Sequence, residues 1–68
     1  MSIYYIECNK KNNYKKYYIY SSSPKEGSWI ISSEKFYFEN YDDALFVYNN
    51  KDSSSLVNIK IMKDRNID

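Results

Sequence analysis

Tyr14-Lys15-Lys16-Tyr17-Tyr18-Ile19-Tyr20 is the stretch whose residue types and spacing come nearest to binding chemistry. Read as an extended strand, it places Tyr14, Lys16, Tyr18 and Tyr20 on one face and Lys15, Tyr17 and Ile19 on the other. Tyrosine rings stack on bases and ammonium groups contact phosphates, so with Lys10 and Lys11 in a neighbouring turn this face suits a single-stranded nucleic acid. The same rings offer a protein partner large contact area at small entropic cost. The plainest alternative is a half-exposed strand whose tyrosines cover a core and whose lysines block edge-to-edge pairing. Either tyrosine face could be the buried one. Trp29 adds the largest aromatic ring. Tyr14, Lys16, Tyr18, Tyr20 and Trp29 are therefore the candidate partner-binding residues.

Catalytic chemistry has little to draw on. The chain contains no His, which removes the Ser–His and Cys–His nucleophile systems and the commonest zinc ligand. Its single Gly, Gly27, cannot build a phosphate-cradling loop, which needs several glycines for close backbone approach. Asp42 and Asp43 are adjacent, and neighbours in a helix do not face each other; they read as favourable charge in a first helical turn. Cys8 alternates with Ile6 and Tyr4 along a strand, the pattern of a small buried hydrophobe rather than a reactive thiol. No catalytic, cofactor-binding or metal-ligating residue is expected, and the chain is not read as an enzyme.

Charge is uneven along the chain. Residues 1–27 carry net +3, residues 28–52 net −3 and residues 53–68 net +1, for a total of +1. A bipolar surface of this kind fits protein docking better than duplex DNA, which calls for a broad basic face. Ile, Tyr, Asn and Lys make up half of the residues. All four have AT-rich codons, so part of the Lys and Tyr abundance reflects codon bias. Nine Tyr, three Phe and one Trp are more rings than 68 residues can enclose. A cluster of exposed aromatics is thus a candidate interface.

The elements that must position these residues follow from pattern and punctuation. Ile3–Cys8 reads as a strand, Asn9–Asn13 as a turn in which Asn adopts left-handed angles, and Tyr14–Tyr20 as a second strand completing a hairpin. Ser21–Ser28 holds the only Pro and Gly and breaks the pattern. Trp29–Ser32 resumes extended character and Glu34–Phe38 continues it, either as one bent strand or as a tight hairpin. Asn40 reads as a helix N-cap, with Tyr41, Ala44, Leu45 and Tyr48 forming one apolar face and Asn49 and Asn50 closing the helix. This stripe predicts a core position for Leu45. In Leu56–Met62, Val57, Ile59 and Ile61 alternate with Asn58 and Lys60, the strongest strand signal in the chain. Lys63–Asp68 reads as a frayed polar tail.

The expected fold is one small α+β domain over 1–68. Three to five antiparallel strands pack against one short helix in the order β-β-β(β)-α-β. A core of this size supplies about 3–5 kcal/mol, and one cysteine permits no internal disulfide, so a partner or a second copy is the remaining source of support. Met1–Lys11 lacks the apolar run of a signal peptide, and no segment is long enough for a membrane span. A soluble cytosolic protein is expected.

Short length, the Ile/Tyr/Asn/Lys excess, a strand-rich start, and Gly27-Ser28-Trp29-Ile30 followed by Asn40-Tyr41-Asp42-Asp43-Ala44-Leu45 together resemble small phage- and mobile-element-encoded anti-defence proteins of AT-rich bacteria, anti-CRISPR proteins among them. The resemblance implies a non-enzymatic inhibitor that blocks a host protein complex in the bacterial cytosol, and it transfers no functional residue. Three readings follow: a protein-binding module, a small single-stranded nucleic-acid binder using Tyr14–Tyr20, and a regulatory homodimer.

Overall fold

A computed structural model describes residues 2–51 and 54–64. Strand β1 (Ile3–Lys10) pairs antiparallel with β2 (Lys16–Tyr20), matching Ile6 with Ile19 and Cys8 with Tyr17. Strand β3 (Ile30–Ser32) adds to the outer side of β2. After the helix α1 (Tyr41–Asn50), β4 (Leu56–Asp64) returns antiparallel along the other side of β1. The result is the expected α+β architecture, one four-stranded sheet in the order β3-β2-β1-β4 packed by one short helix.

The turn joining β1 to β2 is later and better organised than the sequence suggests. β1 runs on to Lys10, and β2 begins at Lys16 rather than Tyr14. Asn12 takes the left-handed conformation (φ 62°) that asparagine tolerates. Asn9 Nδ2 donates to the carbonyls of Lys15 (2.9 Å) and Tyr14 (3.3 Å), and Asn13 Oδ1 accepts from the Lys15 amide (2.9 Å). These side chains satisfy backbone groups that the ladder would otherwise use, which keeps Tyr14 and Lys15 out of the strand.

Side chains of alternate residues fix the two faces of the sheet. Ile6, Cys8 and Ile19 are buried together with Ala44 and Val47 of α1, Leu56 of β4 and Phe38. The Tyr17/Ile19 face of β2 therefore meets the helix, Lys16 and Tyr18 lie on the other side, and Tyr20, at the strand end, packs its ring against the core residue Phe38. Ile6 and Ile19 are fully enclosed cross-strand partners, each contributing roughly 1.5–3 kcal/mol of transfer free energy.

Three expectations are corrected here. Glu34–Phe38 forms no strand; only Phe38 bridges β1, its amide and carbonyl exchanging hydrogen bonds with Tyr4 (2.7 and 2.9 Å). In α1 the buried residues are Ala44 and Val47, with Tyr48 packed beside them, while Leu45 is only half-buried and lies outside the core cluster. In β4 the alternation is interrupted. The register slips between Glu7 and Asn9, and Asn58 bulges with φ 56°. Val57 consequently opposes Asn9 on the far face, and Leu56 joins Ile59 and Ile61 in the core. β4 also extends through Asp64, so Lys63 and Asp64 belong to the sheet; the rest of the expected tail lies outside the described residues.

Asn40 occupies the N-cap position with extended backbone (φ −118°, ψ 132°), but its side chain caps no amide; Nδ2 donates to Asp43 Oδ2 at 3.5 Å. Asn50 closes the other end, its Nδ2 donating to the Phe46 carbonyl at 2.8 Å. Pro24–Glu26 forms a 3-10 turn that ends on Gly27 in the left-handed conformation (φ 78°). That φ is why the one glycine stands there.

Candidate protein-docking surface

The side of the sheet away from α1 is partly roofed by the chain itself. Between β3 and the Phe38 bridge, the backbone crosses this face and lays Lys35, Phe36 and Tyr37 over it. Lys35 Nζ lies 4.3 Å from the Tyr5 ring centroid and 5.6 Å from that of Tyr18. Tyr5 makes edge contacts with both Tyr18 (6.0 Å) and Tyr37 (5.9 Å). Partial desolvation raises the Tyr37 phenol above its ordinary pKa; the nearby Lys35 opposes this and a hydrogen bond to Asp64 adds to it. Further along β1, Glu7 is buried on this same face, with Lys16 Nζ 2.7 Å from Oε2. That hydrogen bond and the adjacent negative charge raise the Lys16 pKa.

At the Tyr20 end of β2 the cover is incomplete. Tyr20 stacks obliquely against Phe38 (5.0 Å) and Phe36 (5.6 Å). A depression of about 260 Å³ opens beside Tyr20 and Phe36, lined by these two with Trp29, Ile30, Ser21, Ser22 and Ser28. Trp29 is half-buried against the core, whereas Ile30 is 55% exposed and Phe36 37%. Beside it, β3 offers a free edge only three residues long.

The sequence-predicted residues are thus divided among three places. Tyr20 and Trp29 meet in the depression. Lys16 and Tyr18 lie on the roofed face, engaged by Glu7 and by Lys35 with Tyr5. Tyr14 stands alone at the hairpin tip, completely exposed. Ile30, Phe36, Tyr37 and Lys35 were not anticipated. The alternation of Phe36 with Phe38 carried the available signal, one ring for the surface and one for the core, but a continuous strand obscured it.

The remaining reactive groups are quiet. Cys8 is buried, and burial raises its thiol pKa, which keeps it protonated near neutrality. Lys51 lies over the Tyr48 ring (4.0 Å) and donates to the Tyr48 carbonyl; burial lowers its pKa. Among the described residues no group of three or more His, Cys, Asp or Glu side chains is placed to hold a metal, and no helix is long and apolar enough to cross a membrane. The chain matches no family model, curated protein or solved structure.

Proposed function

We propose that this chain is a non-enzymatic protein-binding module that docks through the Tyr20–Trp29–Ile30–Phe36 surface. The observation that carries the reading is the pair Ile30 and Phe36, large apolar side chains left substantially exposed around an aromatic-walled depression. Such a patch gains by desolvation only when something covers it. The occupant is a protein segment that inserts an apolar side chain between Trp29 and Phe36. Rigid rings with few rotamers suit the centre of such an interface, and the exposed Ser22 and Ser28 suit its wet periphery.

Acting by occlusion, a module of this kind would serve as an inhibitor of a larger host assembly in the bacterial cytosol, as the resemblance to anti-defence proteins implies. A base-stacking platform on β2 has less support. Lys35 already occupies the ring faces of Tyr5 and Tyr18 that a base would use, and Lys16 is held by Glu7.

The test compares capture from nuclease-treated bacterial lysate by the wild type and by Ile30→Ser/Phe36→Ser. Binding to the isolated partner is then measured. A weakening of about 2 kcal/mol or more, with circular dichroism unchanged, is the hot-spot result. Equal affinity of both proteins for the partner would remove this surface from the interface, and loss of self-association in the variant would make a second copy the occupant.

A further inference from the structure

The β1–β2 hairpin tip is a second surface of different chemistry. Lys10-Lys11-Asn12-Asn13-Tyr14-Lys15-Lys16 holds four lysines and no acid. Among the described residues Lys16 is neutralised by Glu7, while no carboxylate pairs with Lys10, Lys11 or Lys15. Lys10 and Lys15 converge on the Tyr17 ring, at 4.7 and 5.7 Å from its centroid. Tyr14, on the same turn, is 101% exposed.

This exposure is not that of a slack loop. Asn9 holds the carbonyls of Tyr14 and Lys15, Asn13 holds the Lys15 amide and reaches the Tyr17 hydroxyl at 3.3 Å, and the Lys11 amide donates to Ser55 at 3.1 Å. The tip is therefore preorganised, with the fully exposed Tyr14 and the exposed Lys10, Lys11 and Lys15 on one short turn.

We infer that the hairpin tip binds single-stranded nucleic acid, Tyr14 stacking on an unpaired base while Lys10, Lys11 and Lys15 contact the flanking phosphates. A bare ring beside cations fits a base with its phosphates. A duplex keeps its bases stacked on one another, and an acidic protein segment would use the lysines but leave Tyr14 idle. The tip is separate from the docking depression. The two lie at opposite ends of β2, four residue steps or about 13 Å apart.

Fluorescence anisotropy with a labelled 16-nucleotide oligothymidylate tests this. Three phosphate contacts on a single strand predict that affinity falls about 20-fold between 50 and 200 mM salt. Tyr14→Ala should weaken binding about tenfold or more, Tyr14→Trp should retain it, and Lys11→Gln/Lys15→Gln should flatten the salt dependence. Phe36→Ser should leave oligonucleotide binding unchanged, so this result and the docking result can fail independently. Tyr14 buries nothing and Lys11 and Lys15 are exposed, so the tip variants fold. Any one of three outcomes overturns the inference: no binding at 50 mM salt, binding indifferent to Tyr14→Ala, or equal competition by polyglutamate.

Discussion

Lys16 Nζ stands 2.7 Å from Glu7 Oε2, joining an ammonium group at the surface to a carboxylate that the sheet has buried. The two ends of this pair are unequal, so removing them has unequal consequences. Lys16→Met leaves a charge in a desolvated position, whereas Glu7→Gln leaves a lysine that water readily solvates. Lys16→Met is therefore expected to lower the denaturation midpoint more than Glu7→Gln, and Lys16→Arg to restore it. The pair also sets a pH dependence. Lys16 has its pKa raised on folding, so its stabilising contribution is complete below the ordinary lysine value of 10.5 and disappears as pH climbs through the folded value. Urea titrations between pH 9 and 12 should show that loss in the wild type and not in Lys16→Met.

The core offers a ranking that separates the two readings of the helix. Ile19 is fully enclosed, and Ile19→Ala is expected to cost about 2–5 kcal/mol, most of what so small a domain has. Leu45 is half-buried and outside the core cluster, so Leu45→Ala should cost less than about 1.5 kcal/mol. Chemical denaturation of both variants decides between them, and equal losses would mean that Leu45 is core after all.

Why the helix was legible and its buried face was not can be seen in its own residues. Asn40, the two aspartates after it, and the closing asparagines mark both ends of Tyr41–Asn50 by local chemistry. Residues 44–48 are five apolar positions in a row, and such a run leaves the phase of a ten-residue helix open. Packing against the sheet and its core selects Ala44, Val47 and Tyr48. The docking surface was half visible for a similar reason. Tyr20 and Trp29 stand out by type, but Phe36 reaches them only because residues 33–37 cross the sheet, and no local pattern encodes a crossing.

Gly27 has open space around its α-carbon, yet its φ of 78° excludes most side chains. Gly27→Ala should cost about 1–2 kcal/mol through backbone strain alone, and Gly27→Asn distinctly less. Thermal melts of the two variants test the distinction. Identical melting points for the alanine and asparagine variants would indicate that the turn relaxes instead.

Asn58 is where the pattern of β4 and its structure part company, and deleting it is the sharpest test of the sheet. With Asn58 in place as the bulge (φ 56°), Leu56 lies on the same face as Ile59 and Ile61 although the spacing is three and five residues. Asn58→Val keeps the register but forces a β-branched residue into left-handed angles and removes the Nδ2 bond to Asn9 Oδ1 (3.2 Å); about 2 kcal/mol should be lost. Asn58→Gly also loses that bond but relieves the backbone, so it should stay within about 1 kcal/mol of the wild type. Deletion takes out the extra residue itself: Leu56, Ile59 and Ile61 then alternate strictly with Val57 and Lys60, so all three keep the core face without a bulge. The deletion variant should therefore unfold at higher denaturant than Asn58→Val, with hydrogen exchange along β4 and β1 still protected. If it unfolds at lower denaturant than Asn58→Val, Asn58 is not the extra residue that holds Leu56 in the core.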